Sequence, residues 1–246
     1  MSGRGVRLDR LLVDRGLAPS RERAQRLILA GHVLVDDRPI TKSGTEVAPG
    51  AAIRLREPAS PYVSRGGEKL AGALDAFGIP VEGRTVLDVG ASTGGFTDVV
   101  LRRGARKVYA VDVGYGQLAW SLRQDPRVVV LDRTNARNLD PARIADAIEL
   151  AVIDVSFISA TLILPAILPT LAPHASVVVL VKPQFELDRA SIGKGGVVRD
   201  DPARARAVTR VCNAAEELGL QFQAQADSPI AGPKGNREIF LHLTAP

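Results

Sequence analysis

The chemistry-bearing residues gather where apolar runs end. The run Val86-Leu87-Asp88-Val89 breaks into Gly90-Ala91-Ser92-Thr93-Gly94-Gly95-Phe96-Thr97. Small residues there let the backbone approach a ligand closely as the chain turns into a helix. With Ser92 in the middle, the spacing is not G-x-G-x-x-G, which makes a dinucleotide site less favoured. No Gly-Lys-Ser/Thr occurs, so it is not a phosphate loop. A second apolar run ends at Asp112-Val113, where a carboxylate can accept from both hydroxyls of a ribose. A third ends at Asp132, placed to face an adenine amino group. Four further residues stand out: Lys69 in a helical stretch after Ser64-Arg65-Gly66-Gly67, Asp154 and Lys182 closing apolar runs, and Glu238 opening one. Taken singly, each has an ordinary reading as a solvated helix residue, a turn residue, a snorkelling strand-end lysine or the outer partner of an alternating strand. Together they sit at element ends that an alternating fold directs into one crevice.

Apolar runs and amphipathic stretches alternate after Ser64. Strands are expected at 85–89, 107–112, 127–131, 150–155, 176–181, 221–226 and 238–243. Helices are expected between most of them, at 67–77, 97–103, 143–148 and 203–218. That alternation predicts an α/β fold with a mainly parallel, seven-stranded sheet whose ligands bind beyond the strands' carboxyl ends. The stretch from Ile158 to Ala172 is too short to span a membrane and reads as a buried helix. Before this body, Leu8, Leu11 and Leu12 recur at helical spacing, and Ser20 caps a second helix bearing Ala24, Leu27 and Ile28. Short strands at Val33–Val35 and around Ile53 and Leu55 complete a small α+β unit. The expected division is 1–57, a linker at 58–63 containing Pro58 and Pro61, and 64–246.

The 246 residues carry 32 basic and 27 acidic side chains, a net charge of +5. All of it resides in residues 1–65, with 12 basic and 7 acidic side chains; residues 66–246 balance at 20 of each. A basic module on a neutral body suggests a polyanionic partner. The single cysteine, Cys212, excludes an internal disulfide and fits a reducing cytoplasm. His32, His174 and His242 are far apart, so no metal-ligand spacing exists and no metal is expected. The sequence opens MSGRGVRLDR without an apolar segment, so no secretory signal and no membrane association are expected.

Residues 7–40, RLDRLLVDRGLAPSRERAQRLILAGHVLVDDRPI, resemble the uS4-type RNA-binding domain. The triplet Asp88-x-Gly90, Asp112 and Asp132 resembles the S-adenosylmethionine site of Rossmann-like class I methyltransferases. The order Lys69, Asp154, Lys182, Glu238 resembles the FtsJ-type ribose 2′-O-methyltransferases. The whole chain, from Val6 to Thr244, is thus identified as a member of the TlyA family of haemolysin-A-like ribosomal RNA methyltransferases. The resemblance implies methylation of ribosomal RNA, with cytidine ribose in small-subunit and sometimes large-subunit RNA as target, within assembled subunits in the cytoplasm. Lys69, Asp154, Lys182 and Glu238 would be catalytic. Ser64, Asp88, Gly90, Ala91, Ser92, Thr93, Gly94, Gly95, Phe96, Thr97, Asp112, Val113, Asp132 and Asp154 would hold S-adenosylmethionine. Arg4, Arg7, Arg10, Arg21, Arg23, Arg26 and Arg65 would meet RNA, and a monomer is assumed. A free lysine titrates at about 10.4, so Lys182 has two roles open: a base with lowered pKa, or a charged group orienting the hydroxyl while Asp154 assists. The family's Arg-x-Trp-Val linker is here Ser60-Pro61-Tyr62-Val63, which keeps only the aromatic and Val63. Residues 186–200, with Arg189, Lys194 and Arg199, read equally as an RNA-contacting loop or a plain surface loop. The competing readings are a membrane-lytic protein, for which no membrane segment was found, and a non-catalytic RNA-binding assembly factor.

Overall fold

The computed structural model describes residues 5–55, 60–193, 195–232 and 235–246. Arg4, Lys194 and Pro58, named in the expectations above, and residue 59 of the expected linker lie outside them. The chain forms two compact units that part between Pro61 and Tyr62.

The first unit contains β1 (Val6–Arg7), α1 (Leu8–Asp14), α2 (Arg21–Leu29), β2 (Val33–Val35), β3 (Arg38–Ile40), β4 (Glu46–Val47) and β5 (Ile53–Leu55). Leu8, Leu11, Leu12, Ala24, Leu27 and Ile28 form the apolar stripes of the two helices and bury against Val33, Val35 and Val47. The Ser20 hydroxyl accepts the Arg23 N–H at 3.2 Å and so fixes the start of α2. Asp36 and Asp37 take φ of +49° and +63°, the two-residue turn that closes the β2–β3 hairpin.

The second unit runs α3 (Gly66–Phe77), β6 (Thr85–Val89), α4 (Gly95–Arg102), β7 (Lys107–Val111), α5 (Trp120–Arg123), β8 (Val128–Leu131), β9 (Ile148–Ile153), α6 (Leu164–Ile167), β10 (Leu171–Val181), α7 (Pro183–Glu186), α8 (Asp201–Glu217), β11 (Gln221–Asp227) and β12 (Ile239–Thr244). Seven strands form one sheet in the order β11-β12-β10-β9-β6-β7-β8. Every neighbouring pair is parallel except those of β12, which runs antiparallel to β10 and β11. Along β6, Val86 joins an apolar layer with Leu70, Leu74 and Val99, while Leu87 joins the opposite layer with Tyr109, Ala151 and Val211. Both faces are covered, so the central strands read as unbroken apolar runs. Among the described residues, no helix is long and apolar enough to cross a membrane.

Two expected helices are corrected. Residues 143–148 hold only the end of a short turn at Pro141–Arg143, and Ile148 already pairs with Leu171 in the sheet. The stretch from Ile158 to Ala172 breaks into short turns, because Pro165 and Pro169 each fall in the first turn of a new segment, where a missing N–H is tolerated; Leu171 then begins β10.

From β6 the sheet grows outward through β7 and β8, then returns to place β9 on the other side of β6. The carboxyl ends of β6 and β9 therefore flank the point where strand order reverses, the place where such sheets bind ligands.

Candidate active site

The two strand ends interlock at that point. The Asp154 N–H donates to the Val89 carbonyl at 2.9 Å. Gly90 follows with φ +87°, and a Cβ there would lie 2.4 Å from the Asp154 carbonyl oxygen. Glycine is thus required twice over, by conformation and by close approach. Gly95, opening α4, is approached as tightly: a Cβ would come within 2.3 Å of Ser64 Oγ.

A cavity of about 430 Å³ opens over this junction, within the roughly 300–1,000 Å³ of small-molecule sites. Of the residues expected to hold a cofactor, Ser64, Gly90, Ala91, Ser92, Thr93, Gly95, Phe96 and Asp154 line it. Lys69 and Lys182 reach the same wall, as does Arg65, which the sequence had assigned to RNA. Gly66, Ile230, Ala231 and Gly232 also line it and were missed; the last three come from a Pro- and Gly-rich run before β12 that carries no periodic signal. Asp88, Gly94, Thr97, Asp112, Val113 and Asp132 are not among the lining residues.

These residues occupy distinct places around the loop. Asp88 is buried and accepts the Thr97 hydroxyl at 2.6 Å, while its Oδ1 has no partner. Burial pushes its pKa up to about 7, opposed by the Thr97 hydrogen bond and reinforced by Asp154 and Asp112. Asp112 ties the loop to the end of β7: its two oxygens accept the Ser92 N–H at 2.8 Å and the Gly114 N–H at 2.7 Å. Asp132 pairs with Arg123 at 2.8 Å and accepts the Gly116 N–H at 3.2 Å. Burial opposes its charge, but these partners hold it below the ordinary carboxylate range. Val113, Tyr115 and Trp120 stand exposed nearby, with the Arg133 guanidinium 4.3 Å from the Tyr115 ring centre.

The four charged residues singled out from the sequence meet as two pairs. Lys69 lies 2.5 Å from Glu238, and Lys182 lies 2.6 Å from Asp154. Lys182 also donates to Ser156 Oγ at 2.8 Å. Glu238 is fully buried, and its Oε1 has no hydrogen-bond partner. Lys182 is shared with a second pocket of about 310 Å³, lined also by Ser156, Phe157, Gln184, Phe185, Ile192, Gly196, Asn236 and Glu238. Phe157 is 91% exposed at φ +66°, an unfavourable backbone state for a bulky residue, and its ring lies 5.2 Å from that of Phe185. Glu186 joins the arms bearing the second pair: its carboxylate accepts from the Ser159 hydroxyl and, at 2.8 Å, from the Ala160 N–H.

Tyr62 and Val63 belong to this unit. The Val63 N–H donates to Asp98 at 2.9 Å, and Arg102 stacks 5.6 Å from the centre of the Tyr62 ring. In the first unit, Arg7, Arg10, Arg21 and Arg26 are exposed on or beside α1 and α2, and Arg23 is half-buried.

Residues 62–245 match the FtsJ-like methyltransferase family, and residues 6–53 match the S4 domain. The chain is 52% identical over 98% of its length to the 16S/23S rRNA (cytidine-2′-O)-methyltransferase TlyA of Mycobacterium tuberculosis, covering 90% of that protein. It is 42% identical to Hemolysin A of Brachyspira hyodysenteriae, covering 97% of this chain and 99% of the other. A solved structure of a Streptococcus thermophilus protein that carries the hemolysin name superposes with a TM-score of 0.77 at 42% identity, covering 98% of this chain and 89% of that one. An S4 domain followed by an FtsJ-like methyltransferase domain, similar to TlyA along nearly its whole length, places this chain in the TlyA family.

Proposed function

We propose that the protein methylates the ribose 2′-hydroxyl of cytidine in ribosomal RNA, within small and large ribosomal subunits in the cytoplasm, using S-adenosylmethionine. The observation that carries this reading is Lys182, held 2.6 Å from Asp154 on the wall shared by the two cavities. The larger cavity fits the cofactor: Gly90, Ala91, Ser92 and Thr93 line it with small residues, and carboxylates stand at or beside the ends of three neighbouring strands, outside that lining. Asp112 would take the cofactor's ribose hydroxyls and Asp132 its adenine amino group, although Arg123 already occupies one side of Asp132. When bound, the cofactor supplies a methyl group on a positively charged sulfur, open to in-line attack by a hydroxyl.

The chain's own residues do the rest. Phe157 and Phe185 offer a stacking surface for the target base beside Lys182. Lys182, its amine oriented by the hydrogen bond to Ser156, meets the ribose hydroxyl and directs the departing proton to the adjacent Asp154 carboxylate, whose Oδ1 has no hydrogen-bond partner among the described residues. Glu238 holds Lys69 over the same wall, where its charge orients the substrate. The name of the Mycobacterium relative specifies cytidine in both 16S and 23S RNA, and cytidine in both RNAs is the target inferred for this chain. Residues 1–57 would dock the RNA and residues 64–246 perform the transfer.

Methyl transfer from labelled cofactor to purified subunits tests this directly. Lys182→Ala is expected to lower turnover by about 100-fold or more while leaving cofactor binding intact. Absence of transfer by the unaltered protein to both subunits and to free ribosomal RNA overturns the reading.

A further inference from the structure

Helix α1 carries a carboxylate on the face it buries. Asp9 lies beside Leu8, Leu11 and Leu12, and its side chain is 0% exposed. Such a group is costly unless its charge is matched and its lone pairs are used. Here Oδ1 accepts from Arg7 Nε at 3.1 Å, and Oδ2 accepts from Arg7 Nη2 at 2.9 Å, Arg21 Nε at 3.0 Å and Gln25 Nε2 at 2.9 Å. The two arginine side chains it grips remain 47% and 59% exposed.

One arginine would balance this charge, yet two are held, Arg7 by the edge carrying Nε and Nη2 and Arg21 through Nε. Arg26, by contrast, pairs with Glu22 one helical turn away, and Arg10 lies 3.9 Å from Asp14. Both of those are exposed pairs of the kind that rearrange easily. A guanidinium is a planar fork matched to phosphate oxygens, and fixing it beforehand removes much of the ordering cost of a contact.

We propose that Asp9 is a positioning residue for RNA, presenting Arg7 and Arg21 as a pre-set pair of forks to neighbouring backbone phosphates of a folded RNA. This inference rests on the RNA-docking reading of the first unit. It runs against simple charge counting. Asp9→Asn makes the surface more positive, so attraction between net charges alone would tighten binding, whereas loss of positioning weakens it.

The test uses the full-length protein and purified small and large ribosomal subunits, with affinity measured across a salt series. Asp9→Asn is expected to weaken binding about tenfold, the scale of one lost charge-assisted hydrogen bond. The slope of log affinity against log salt should become shallower despite the added positive charge, by roughly one phosphate contact. A merely structural defect would show in the melting temperature and would leave that slope unaltered in the fraction still folded. Arg7→Lys/Arg21→Lys keeps the total charge and the carboxylate but lacks the forks, and it should weaken binding similarly. Unchanged or tighter binding by folded Asp9→Asn overturns the proposal; if that variant does not fold, unchanged affinity of the double lysine variant overturns it instead. Arg7→Glu/Arg21→Glu separates the two levels of the argument. Indifference to this charge reversal refutes docking by this face altogether. Sensitivity to it, with indifference to the other variants, refutes the positioning role alone.

Discussion

A carboxyl group sealed behind a glycine-rich loop does not keep its charge cheaply, and Asp88 shows the consequence. In the unfolded chain it titrates as an ordinary aspartate, near 3.8, whereas in the fold burial lifts it to about 7. Between these two values the folded protein retains a proton that the unfolded chain has released. Stability from this group is therefore fully present below about pH 4, is lost as pH climbs toward 7, and then levels off. Asp88→Asn is neutral throughout and lacks that loss. Urea midpoints of both proteins from pH 4 to 8 should show the stability of the wild type relative to the variant declining across the window; a constant difference would refute the assigned cause. The same residue marks what a sequence does and does not reveal at this scale. That a carboxylate ends β6 could be read directly. That it faces Thr97 beneath the loop rather than lining the cavity depends on which side of the strand it occupies, and adjacent apolar residues on a sheet buried on both faces leave that undetermined.

Two strand ends meeting at one glycine set the geometry of the site. Gly90 combines a φ of +87° with a carbonyl oxygen 2.4 Å from where a Cβ would stand, while Gly78, which caps α3, has a φ of +63° and open space around it. Alanine at either position incurs the backbone penalty of the left-handed region, about 1–3 kcal/mol. Only at Gly90 must the Asp154 backbone also shift, and with it the partner of Lys182. Gly90→Ala should therefore melt lower than Gly78→Ala and, in the protein still folded, lose far more cofactor affinity. Equal cofactor affinities would show that the close approach does not govern the site. Elements of this kind were legible because the signals are local: apolar runs gave β6, β7 and β8 to within a residue, and the Ser20 cap gave α2. The failures were equally physical. Ile148 joins the sheet through pairing with Leu171, a contact 23 positions away that no local period records. Pro165 and Pro169 divide a stretch whose apolar content alone read as one helix. Ile230–Gly232 line the cavity only because the chain returns through them to deliver Glu238.

The +5 charge confined to residues 1–65 acquires its meaning at the level of the whole chain. Each unit buries its own apolar cluster: Leu8, Leu12 and Ile28 in the first, and the two layers around the seven-stranded sheet in the second. The second unit, whose residues 66–246 balance at 20 basic and 20 acidic side chains and which adds only Arg65 to that balance, carries opposed pairs, Lys69 with Glu238 and Lys182 with Asp154, suited to a reaction rather than to attraction of a polyanion. The first presents Arg7, Arg10, Arg21 and Arg26 at its surface. If attraction and reaction are divided in this way, affinity for RNA and affinity for cofactor should come apart. A chain lacking residues 1–61 should bind S-adenosylmethionine within about twofold of the full protein, since no lining residue of the larger cavity is removed. Its binding to ribosomal subunits should weaken sharply. The slope of log affinity against log salt should fall by roughly three to four if those four arginines each neutralise a phosphate, at about 0.9 per contact on duplex RNA treated like duplex DNA. Calorimetry with cofactor and a salt series with subunits measure the two quantities separately. A parallel loss of both would mean that the second unit needs the first to fold or to form its site; an unchanged salt slope would mean that the attraction arises from the second unit, whose balanced charge would then have to be unevenly spread over its surface.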